Sequence, residues 1–403
     1  MNLSERFLKY LKFNTEAVNG GYEIPSSNGQ VIFADFLVDE LKQIGLDNVE
    51  YCNGVVYAYK RSDYSEMNKA IGLVAHLDTY PLNGRGNVEP IVINNYCGEK
   101  DLEFTKKKYP TAIIDLLNND YLHHKLVFSK RNTILGGDDK AGVAEIVTAI
   151  ECILEYQIKT KDIYIAFVCD EEIGRGASLI NFDKFKADYV FVLDGEFAGE
   201  IHISNMSAFF CGIKVNGDYS FLGRAKNIMK NPIDVIVEFM GEFSSNERPQ
   251  SCDGDEGFFH FSKIQGDALS AILMCTIMAF EEGEMNAKIG KLYNVCKMMN
   301  EKYGENTISI VFPQNGYNIY SKNNNEDIVE LVERAMIANN LKCRKLKFRG
   351  LTDSTIFREK GKNAVTIGIG CSSFHSIYEW ASITDMEKVV STIISICMEK
   401  VKD

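Results

Sequence analysis

Three apolar segments of the chain run directly into acidic or histidine residues, and this pattern constrains the fold more than any other feature. The segment 70–75 is followed by His76 and Asp78, and the segment 163–168 by Glu171 and Glu172. The segment 189–193 is followed by Asp194. Continuous apolar strands that alternate with helical segments are typical of a mostly parallel sheet with helices on both faces. The carboxyl ends of parallel strands share one edge of the sheet, where ligands bind in such folds. The sequence therefore predicts an α/β fold that gathers these side chains at one sheet edge.

A fourth acidic motif opens the best-patterned helix of the chain. It reads Gly-Gly-Asp-Asp-Lys at 136–140, and apolar residues follow it at helical spacing from Val143 to Leu154. Asp138 falls just before the first turn, where a carboxylate can cap free N–H groups and face the positive end of the helix dipole. The same carboxylate, aimed into a cleft, could instead bridge two metal ions. The motif alone leaves both interpretations open and favours the cap.

Taken together, the four motifs favour a metal site. His76 and Asp78 are two residues apart on an extended segment, so both can face one side, with Asp78 fixing the tautomer of a ligating imidazole. Glu171 and Glu172 are adjacent, so one could bind a metal while the other acts as a general base. Each motif also has a structural explanation, as a core histidine, a solvated acidic loop or a turn cap. Asp194 closes an apolar strand, where an unpaired charge would be costly. Because all four motifs are expected at one sheet edge, together they indicate a metal-dependent site.

Length and composition limit the remaining possibilities. The 403 residues are too many for one ordinary core, so we expect two domains. With 44 Lys and Arg against 56 Asp and Glu, the net charge of −12 argues against nucleic acid or an anionic membrane as the main partner. The 11 cysteines form no CxxC pairs and several lie in apolar runs, which is typical of reduced thiols in a cytoplasmic protein. The start of the chain is amphipathic and charged, unlike a signal peptide, and no apolar run has membrane-spanning length.

The order of predicted elements changes after residue 206. The segment 207–316 is predicted to form strand, helix, strand, strand, helix and strand, which is the ferredoxin-like order. The alternating pattern of the first part then returns. We therefore expect a catalytic, metal-binding domain made of 1–206 and 317–403, with an inserted ferredoxin-like α+β lid or dimerisation domain at 207–316.

In combination, the motifs resemble those of the peptidase T family, the tripeptide aminopeptidases among the di-zinc exopeptidases. The likeness rests on His-Leu-Asp-Thr at 76–79, Gly-Gly-Asp-Asp-Lys-Ala-Gly at 136–142, Asp-Glu-Glu-Ile-Gly at 170–174 and Asp-Gly at 194–195. It extends over nearly the whole chain, including Glu-Gly-Phe-Phe-His at 256–260 and Arg-Gly-Leu-Thr-Asp at 349–353. The resemblance implies a zinc-exopeptidase-like sheet with an inserted lid and a short peptide substrate. Members of this family often pair through the lid, so a homodimer is compatible with it.

The resemblance also implies a set of zinc ligands. Asp138 would bridge two zinc ions, His76 and Asp194 would complete the first site, and Glu172 would belong to the second. The peptide bond between Asp138 and Asp139 would be cis.

Further residues take roles in catalysis by the same resemblance. Asp78 would orient His76, and Glu171 would be the general base that takes a proton from zinc-activated water and passes it to the leaving amine. The lid would close over the substrate and exclude water. The candidate substrate-binding residues, from the motif at 349–353, are Arg349, Thr352 and Asp353.

Three positions depart from the family pattern, each by the loss of a polar group. The second-site histidine of the family lies in a His-Glu-aromatic motif, and the matching triplet here begins with Tyr378. A phenol with a usual pKa of about 10 is a poor zinc ligand. His375 is a candidate substitute, although an ordinary loop position for it is slightly favoured. Phe221 stands in place of the lid histidine that helps to stabilise the tetrahedral intermediate, and Met278 aligns with the lid arginine that binds the substrate's carboxylate.

Two functions follow from these departures. The first is a peptidase T-like metallo-aminopeptidase with an altered second site. The second is a non-catalytic relative that binds peptide or one metal. We expect the first site to bind zinc firmly and the second to be empty, weak or differently ligated. Tripeptidase activity should be weak or absent, because loss of one oxyanion donor typically costs about a hundredfold or more in rate.

Overall fold

The computed structural model describes residues 1–20, 22–64, 69–82, 88–316 and 326–398. Its strands are β1 (Asn48–Cys52), β2 (Val55–Lys60), β3 (Ile71–His76), β4 (Pro90–Ile93), β5 (Leu126–Ser129), β6 (Ile163–Val168), β7 (Tyr189–Gly195), β8 (Glu200–Asn205), β9 (Ser207–Asn216), β10 (Phe258–Gly266), β11 (Ser270–Ala279), β12 (Ile308–Gly316), β13 (Arg344–Phe348), β14 (Asn363–Gly368), β15 (Cys371–Ser372) and β16 (Trp380–Ser382). Its α-helices are α1 (Leu3–Tyr10), α2 (Asn28–Gln43), α3 (Thr111–Asp120), α4 (Gly137–Glu155), α5 (Pro232–Gly241), α6 (Glu282–Tyr303), α7 (Glu326–Ala338), α8 (Asp353–Glu359) and α9 (Ile383–Met398).

The chain divides into two compact units. The first comprises Met1–Ile203, Asn324–Leu346 and Thr352–Asp403, and the second comprises Ser204–Asn323 and Lys347–Leu351. The short segment Lys347–Leu351 thus belongs with the second unit, although it lies outside 207–316. The division into a catalytic and a lid domain stays a prediction, and residues 317–325 at its second boundary lie outside the described residues.

The first unit is built on an eight-stranded mixed sheet. Its strand order is β1-β2-β6-β3-β7-β14-β8-β13. The four central strands β6, β3, β7 and β14 are parallel to one another, whereas β1, β2 and β8 pair in antiparallel fashion towards the edges. All six residues of β3 are buried, as expected for a strand covered on both faces. The α/β fold class is confirmed, with a parallel centre in a mixed sheet.

Helix α4 lies in the core of the first unit. It is buried along most of its length and packs on β3 and between α1 and α9. Because the helix is buried on nearly all sides, its amino terminus is held firmly near the carboxyl end of β3. The acidic motif at that terminus is therefore anchored by core packing.

A second, four-stranded sheet in the first unit has the order β15-β16-β5-β4. Its small core contains the fully buried side chains of Trp380, Tyr96, Leu126 and Phe128. Among the helices of the described residues, we find none with the length and apolar character that crossing a bilayer requires.

The second unit has the ferredoxin-like arrangement that its sequence predicts. Strands β9, β10, β11 and β12 form an antiparallel sheet in the order β10-β11-β9-β12, and helices α5 and α6 complete the order β-α-β-β-α-β. The alternating burial along β11 shows that one face of this sheet is packed and the other is more exposed.

Candidate metal centre

The predicted residues come together at the carboxyl ends of three neighbouring strands. Strand β3 pairs in parallel with both β6 and β7, and His76 lies opposite Val168 in this register. The residues that follow β6 therefore lie beside those that follow β3. Asp194 lies near the end of β7, and the amino terminus of α4 adds Asp138. The parallel pairing thus explains why residues far apart in the chain meet.

A first donor set consists of His76, Asp138 and Asp194. Nε2 of His76 is 2.8 Å from Oδ1 of Asp138 and 3.5 Å from Oδ1 of Asp194. These donor atoms lie within 4.8 Å of one another, close enough to share one metal ion. On the other side of the ring, Nδ1 is 3.0 Å from the backbone oxygen of Asp78 and 3.5 Å from its carboxylate Oδ1. The main chain of Asp78 is therefore the nearer acceptor that orients His76.

A second donor set consists of Asp138, Glu172 and His375. Nε2 of His375 is 2.9 Å from Oε1 of Glu172 and 3.1 Å from Oδ2 of Asp138. The two oxygens of Asp138 therefore face different imidazoles, as a bridging ligand requires. The position of His375 differs from the ordinary loop position that the sequence slightly favoured. The ring of Tyr378 instead packs on Tyr109, with ring centroids 5.5 Å apart.

The ring of Tyr80 holds His375 from one side. The two rings are stacked, with centroids 4.1 Å apart and an interplanar angle of 15°. The backbone of His375 has a φ of +57°, and that of Ser373 has a φ of +63°. With the loop in these left-handed conformations, Nε2 of His375 reaches Asp138 while 43% of the side chain stays exposed.

The loop before α4 is held by the buried carboxylate of Glu379. This carboxylate accepts hydrogen bonds from the N–H groups of Leu135, Gly136 and Asp138 at 2.7–3.0 Å. The peptide bond between Asp138 and Asp139 is cis, as the family resemblance implies. Glu379 therefore fixes the main chain that presents the shared carboxylate.

Two further aspartates hold the main chain of the ligand loops. The buried carboxylate of Asp78 accepts the N–H groups of Glu171 at 3.0 Å and of Glu172 at 3.1 Å. That of Asp139 accepts the N–H of His76 at 2.9 Å. Asp78 therefore contacts the main chain of Glu171 and Glu172 as well as the ring of His76, and its role in orienting His76 stays a prediction.

The electrostatics of the centre reflect many buried carboxylates around two imidazoles. Burial acts to lower the pKa of His76, but its hydrogen bonds with Asp138 and Asp194 outweigh this effect and raise it well above its usual value. Burial also acts to lower the pKa of His375, but its hydrogen bonds with Asp138 and Glu172 outweigh this effect and raise the pKa to about 10. Burial together with the charge of Asp138 raises the pKa of Glu172 to about 8. The protein therefore gathers more negative charge here than the two imidazoles neutralise.

The donor atoms fit divalent metal ions. Each set offers one imidazole nitrogen and two carboxylates, and catalytic zinc sites typically have three protein ligands with a further position open. Buried carboxylates that repel one another are stabilised by a cation. Nitrogen and carboxylate oxygen donors also suit manganese and cobalt.

The general base candidate, Glu171, lies beside the first donor set. Burial and the nearby charge of Asp194 raise the pKa of Glu171 well above its usual value. A carboxyl group with a raised pKa is a better proton acceptor near neutral pH than an ordinary glutamate.

The three candidate substrate-binding residues lie in two different units. Asp353 is buried in the first unit, where its Oδ1 accepts the N–H of Ala177 at 2.7 Å and burial raises its pKa to about 7. The hydroxyl of Thr352 is 2.8 Å from that of Ser354, inside the protein. Arg349 belongs to the second unit, where its Nη1 donates to the backbone oxygen of Gly254, 2.5 Å away. A role in substrate binding stays a prediction for all three.

The two apolar replacements of the family's lid residues lie in the second unit. The side chain of Phe221 is 75% exposed. Met278 packs against an apolar cluster that contains Met206, Phe258 and Phe280. Neither side chain carries a hydrogen-bond donor of the kind that it replaces.

Sequence reasoning did not single out Glu379 or Tyr80 as neighbours of the centre. A glutamate between Tyr378 and Trp380 was the available signal for Glu379, because a charged residue inside an apolar segment needs partners. The contact of Tyr80 with His375 depends on loops that only the folded chain brings together.

Comparison with known proteins places this fold and centre in a class. The chain matches Peptidase family M20/M25/M40 over residues 129–399. It therefore belongs to this peptidase family. One member with a solved structure, a dinuclear metal-binding peptidase from Bacillus subtilis, aligns with a TM-score of 0.62 at 12% identity and covers 98% of both chains.

Within this class, the chain belongs to the peptidase T family. It is 34% identical over 398 residues to Peptidase T of Caldanaerobacter subterraneus and 35% identical over 401 residues to Peptidase T of Halothermothrix orenii, with 97% of each chain covered. A tripeptidase structure from Staphylococcus aureus aligns with a TM-score of 0.77 at 18% identity, covering 98% of this chain and 97% of the other. Aminopeptidase PepT from Bacillus cereus aligns with a TM-score of 0.74 at 16% identity, with the same coverage.

Proposed function

We propose that this chain is a zinc-dependent aminopeptidase that removes the N-terminal residue from short peptides, with two metal sites that share Asp138. The observation that carries the proposal is the convergence of His76, Asp138 and Asp194, because separate parts of the chain supply them. The names of the relatives, Peptidase T, tripeptidase and aminopeptidase, support the substrate class.

The residues of the centre suggest how peptide cleavage would proceed. Bound zinc ions would supply Lewis-acid chemistry, polarising a carbonyl group and making water more acidic. Glu171 would take the proton from water and return it to the leaving amine. The carboxylate of Asp78 would hold Glu171 in place by accepting the backbone N–H of Glu171. The Glu171 carboxyl would then stay within reach of both the water and the leaving amine. His76 and His375 would remain neutral metal ligands when zinc is bound.

Zinc-dependent hydrolysis of a tripeptide with a free amino terminus is the direct test. We expect trialanine to lose its N-terminal residue slowly, with activity abolished by a chelator and restored by zinc. N-acetyl-trialanine should remain intact, because an aminopeptidase requires a free amino terminus. The variant D138A should bind neither ion and should be inactive. Hydrolysis that continues in the chelator or in D138A would overturn the proposal.

The second site gives a separate prediction about metal content. We expect H375A to retain one zinc ion per chain and to lose the other, because only the second donor set contains His375. Y378F is the matched control, since Tyr378 packs on Tyr109 and its ring is kept. Metal analysis after dialysis measures both variants. Equal loss of zinc in Y378F, or two ions retained in H375A, would contradict the assignment of His375.

A second candidate function is peptide or metal binding without catalysis. Phe221 and Met278 favour it, because both replace polar groups that act on substrate in the family. Zinc and peptide binding by the wild type, without release of any N-terminal residue over the time that the Staphylococcus aureus tripeptidase needs for full conversion, would support this candidate over the first.

A further inference from the structure

The segment 15–30, which the structure describes at residues 15–20 and 22–30, contacts both loops that carry the predicted catalytic carboxylates. Near its start, the N–H of Ala17 donates to the backbone oxygen of Thr79 at 3.0 Å, and the N–H of Thr79 donates to the oxygen of Thr15 at 3.2 Å. Thr79 directly follows Asp78, whose carboxylate binds the main chain of Glu171. The end of this segment at Thr15 and Ala17 is thus fixed beside the loop that carries Asp78.

The other end of the segment binds Asp170, the residue before Glu171. The carboxylate of Asp170 accepts the N–H of Ser26 at 2.9 Å, the Ser26 hydroxyl at 2.5 Å and Nε2 of Gln30 at 2.8 Å. In return, the N–H of Asp170 donates to Oε1 of Gln30 at 3.0 Å. Arg175 adds an ion pair at 3.0 Å. Asp170 is fully buried, so this set of donors satisfies a charge that would otherwise be costly.

The backbone at Asp170 turns the chain towards the metal centre. Its φ of +59° lies in the left-handed region, which few residues other than glycine adopt without support. The next two N–H groups, those of Glu171 and Glu172, then reach the carboxylate of Asp78. The direction of both glutamates is therefore determined from two sides, by Asp78 and by the N-terminal segment.

We propose that Asp170 is a positioning residue through which the segment 15–30 holds Glu171 and Glu172 at the metal centre. The proposal rests on the proposed function and names a further residue for it. Asp170 forms hydrogen bonds with Ser26 and Gln30 and an ion pair with Arg175. It would therefore act on the metal centre only through the residues that follow it, Glu171 and Glu172. Partners of this kind typically change metal affinity or activity by about 10- to 100-fold when they are lost.

A purely structural role for Asp170 is the alternative, and Asp162 provides a matched control. Asp162 precedes β6, whereas Asp170 follows it two residues after its end. The carboxylate of Asp162 also accepts a side-chain hydroxyl, that of Tyr59, and a backbone N–H, that of Ser62 at 2.9 Å. D162N and D170N therefore remove similar interactions at opposite ends of one strand, and only the second lies at the ligand loop.

Calorimetric titration of the metal-free full-length protein with zinc tests the proposal without using activity. We expect D170N to bind the ion that involves Glu172 at least 10-fold more weakly than the wild type, while the first ion binds as before. D162N should bind both ions as the wild type does. Wild-type affinity for both ions in folded D170N, or an equal loss in D162N, would overturn the proposal.

The variants Q30M and S26A keep the proposal testable if D170N does not fold. Both leave the charge of Asp170 in place. S26A removes one hydrogen bond to its carboxylate, and Q30M removes the two hydrogen bonds between Asp170 and the Gln30 side chain. We therefore expect a smaller loss of zinc affinity at the second donor set, of about 2- to 10-fold. Unchanged affinity in both variants would overturn the proposal. Where the wild type hydrolyses peptide, kcat should fall in these variants with KM nearly unchanged. A wild type that binds zinc but cleaves no peptide would count against the proposed function alone.

Discussion

At the scale of single residues, Glu145 carries a carboxyl group into the core of the first unit. It lies on α4 and is fully buried, and within the described part of the chain neither of its carboxylate oxygens meets a hydrogen-bond partner. Burial and the nearby charge of Asp139 raise its pKa well above the usual value for glutamate. The folded protein therefore holds a proton that the unfolded chain releases above its ordinary glutamate pKa of about 4.3.

The sign of the resulting pH dependence follows from proton linkage. Since the folded state binds more protons than the unfolded state, Glu145 makes the free energy of unfolding fall as pH rises above that ordinary value. The variant E145Q cannot ionise, so we expect its Tm to exceed that of the wild type by more at pH 8 than at pH 5. Thermal unfolding at both pH values measures the difference. E155Q changes an exposed residue of the same helix, so its Tm difference from the wild type should be the same at both pH values. A Tm difference between E145Q and the wild type that is smaller at pH 8 than at pH 5 would refute the argument.

At the scale of elements, the loop before α4 depends on one side chain from a distant part of the chain. Glu379 accepts three backbone N–H groups of residues 135–138, and it does so from just before β16. The presentation of Asp138 is therefore coupled to the small sheet that contains β16.

The variant E379Q should loosen this loop. A glutamine offers one acceptor oxygen, and its amide N–H₂ would face a backbone donor. We expect a loss of about 1–3 kcal/mol in the free energy of unfolding, the usual cost of leaving a buried donor unpaired. We also expect weaker binding of both metal ions, because both donor sets include Asp138. Urea unfolding and zinc titration measure the two effects, with E387Q on the exposed face of α9 as control. Full retention of both properties would show that the loop does not need Glu379.

Most elements that position the centre could be predicted from the sequence. The apolar runs of β3, β6 and β7 and the order of elements in the second unit have strong periodic signals. Strands β4, β5, β15 and β16 have only two to four residues each, too few for a reliable pattern. The candidate ligands divide in the same way. His76, Asp138, Glu172 and Asp194 lie at or just beyond the ends of recognisable elements, whereas His375 reaches the centre through a loop with two left-handed residues that no periodicity indicates.

At the scale of the whole molecule, the two units should respond differently to metal removal. Both donor sets lie in the first unit, and the second unit has its own core around β9 and β11. A ligand that binds only the folded state stabilises it by about 4 kcal/mol at a thousand times its dissociation constant. Chelation should therefore destabilise the first unit by an amount of this order.

Hydrogen exchange with and without chelator measures this difference. We expect amides of β3 and α4 to exchange faster without metal, and those of β9 and β11 to change little. The variant D138A should behave like the chelated wild type and should not respond to added zinc. Equal acceleration in both units would contradict a metal effect confined to the first.

Asp138 gives one oxygen to each donor set, so two ions held there would not bind independently of each other. An ion in one donor set would withdraw electron density from the carboxylate on which the other set also depends. The sites should accordingly fill in sequence, with unequal affinities, and the absorption spectrum of cobalt in one site should change when the other site is filled.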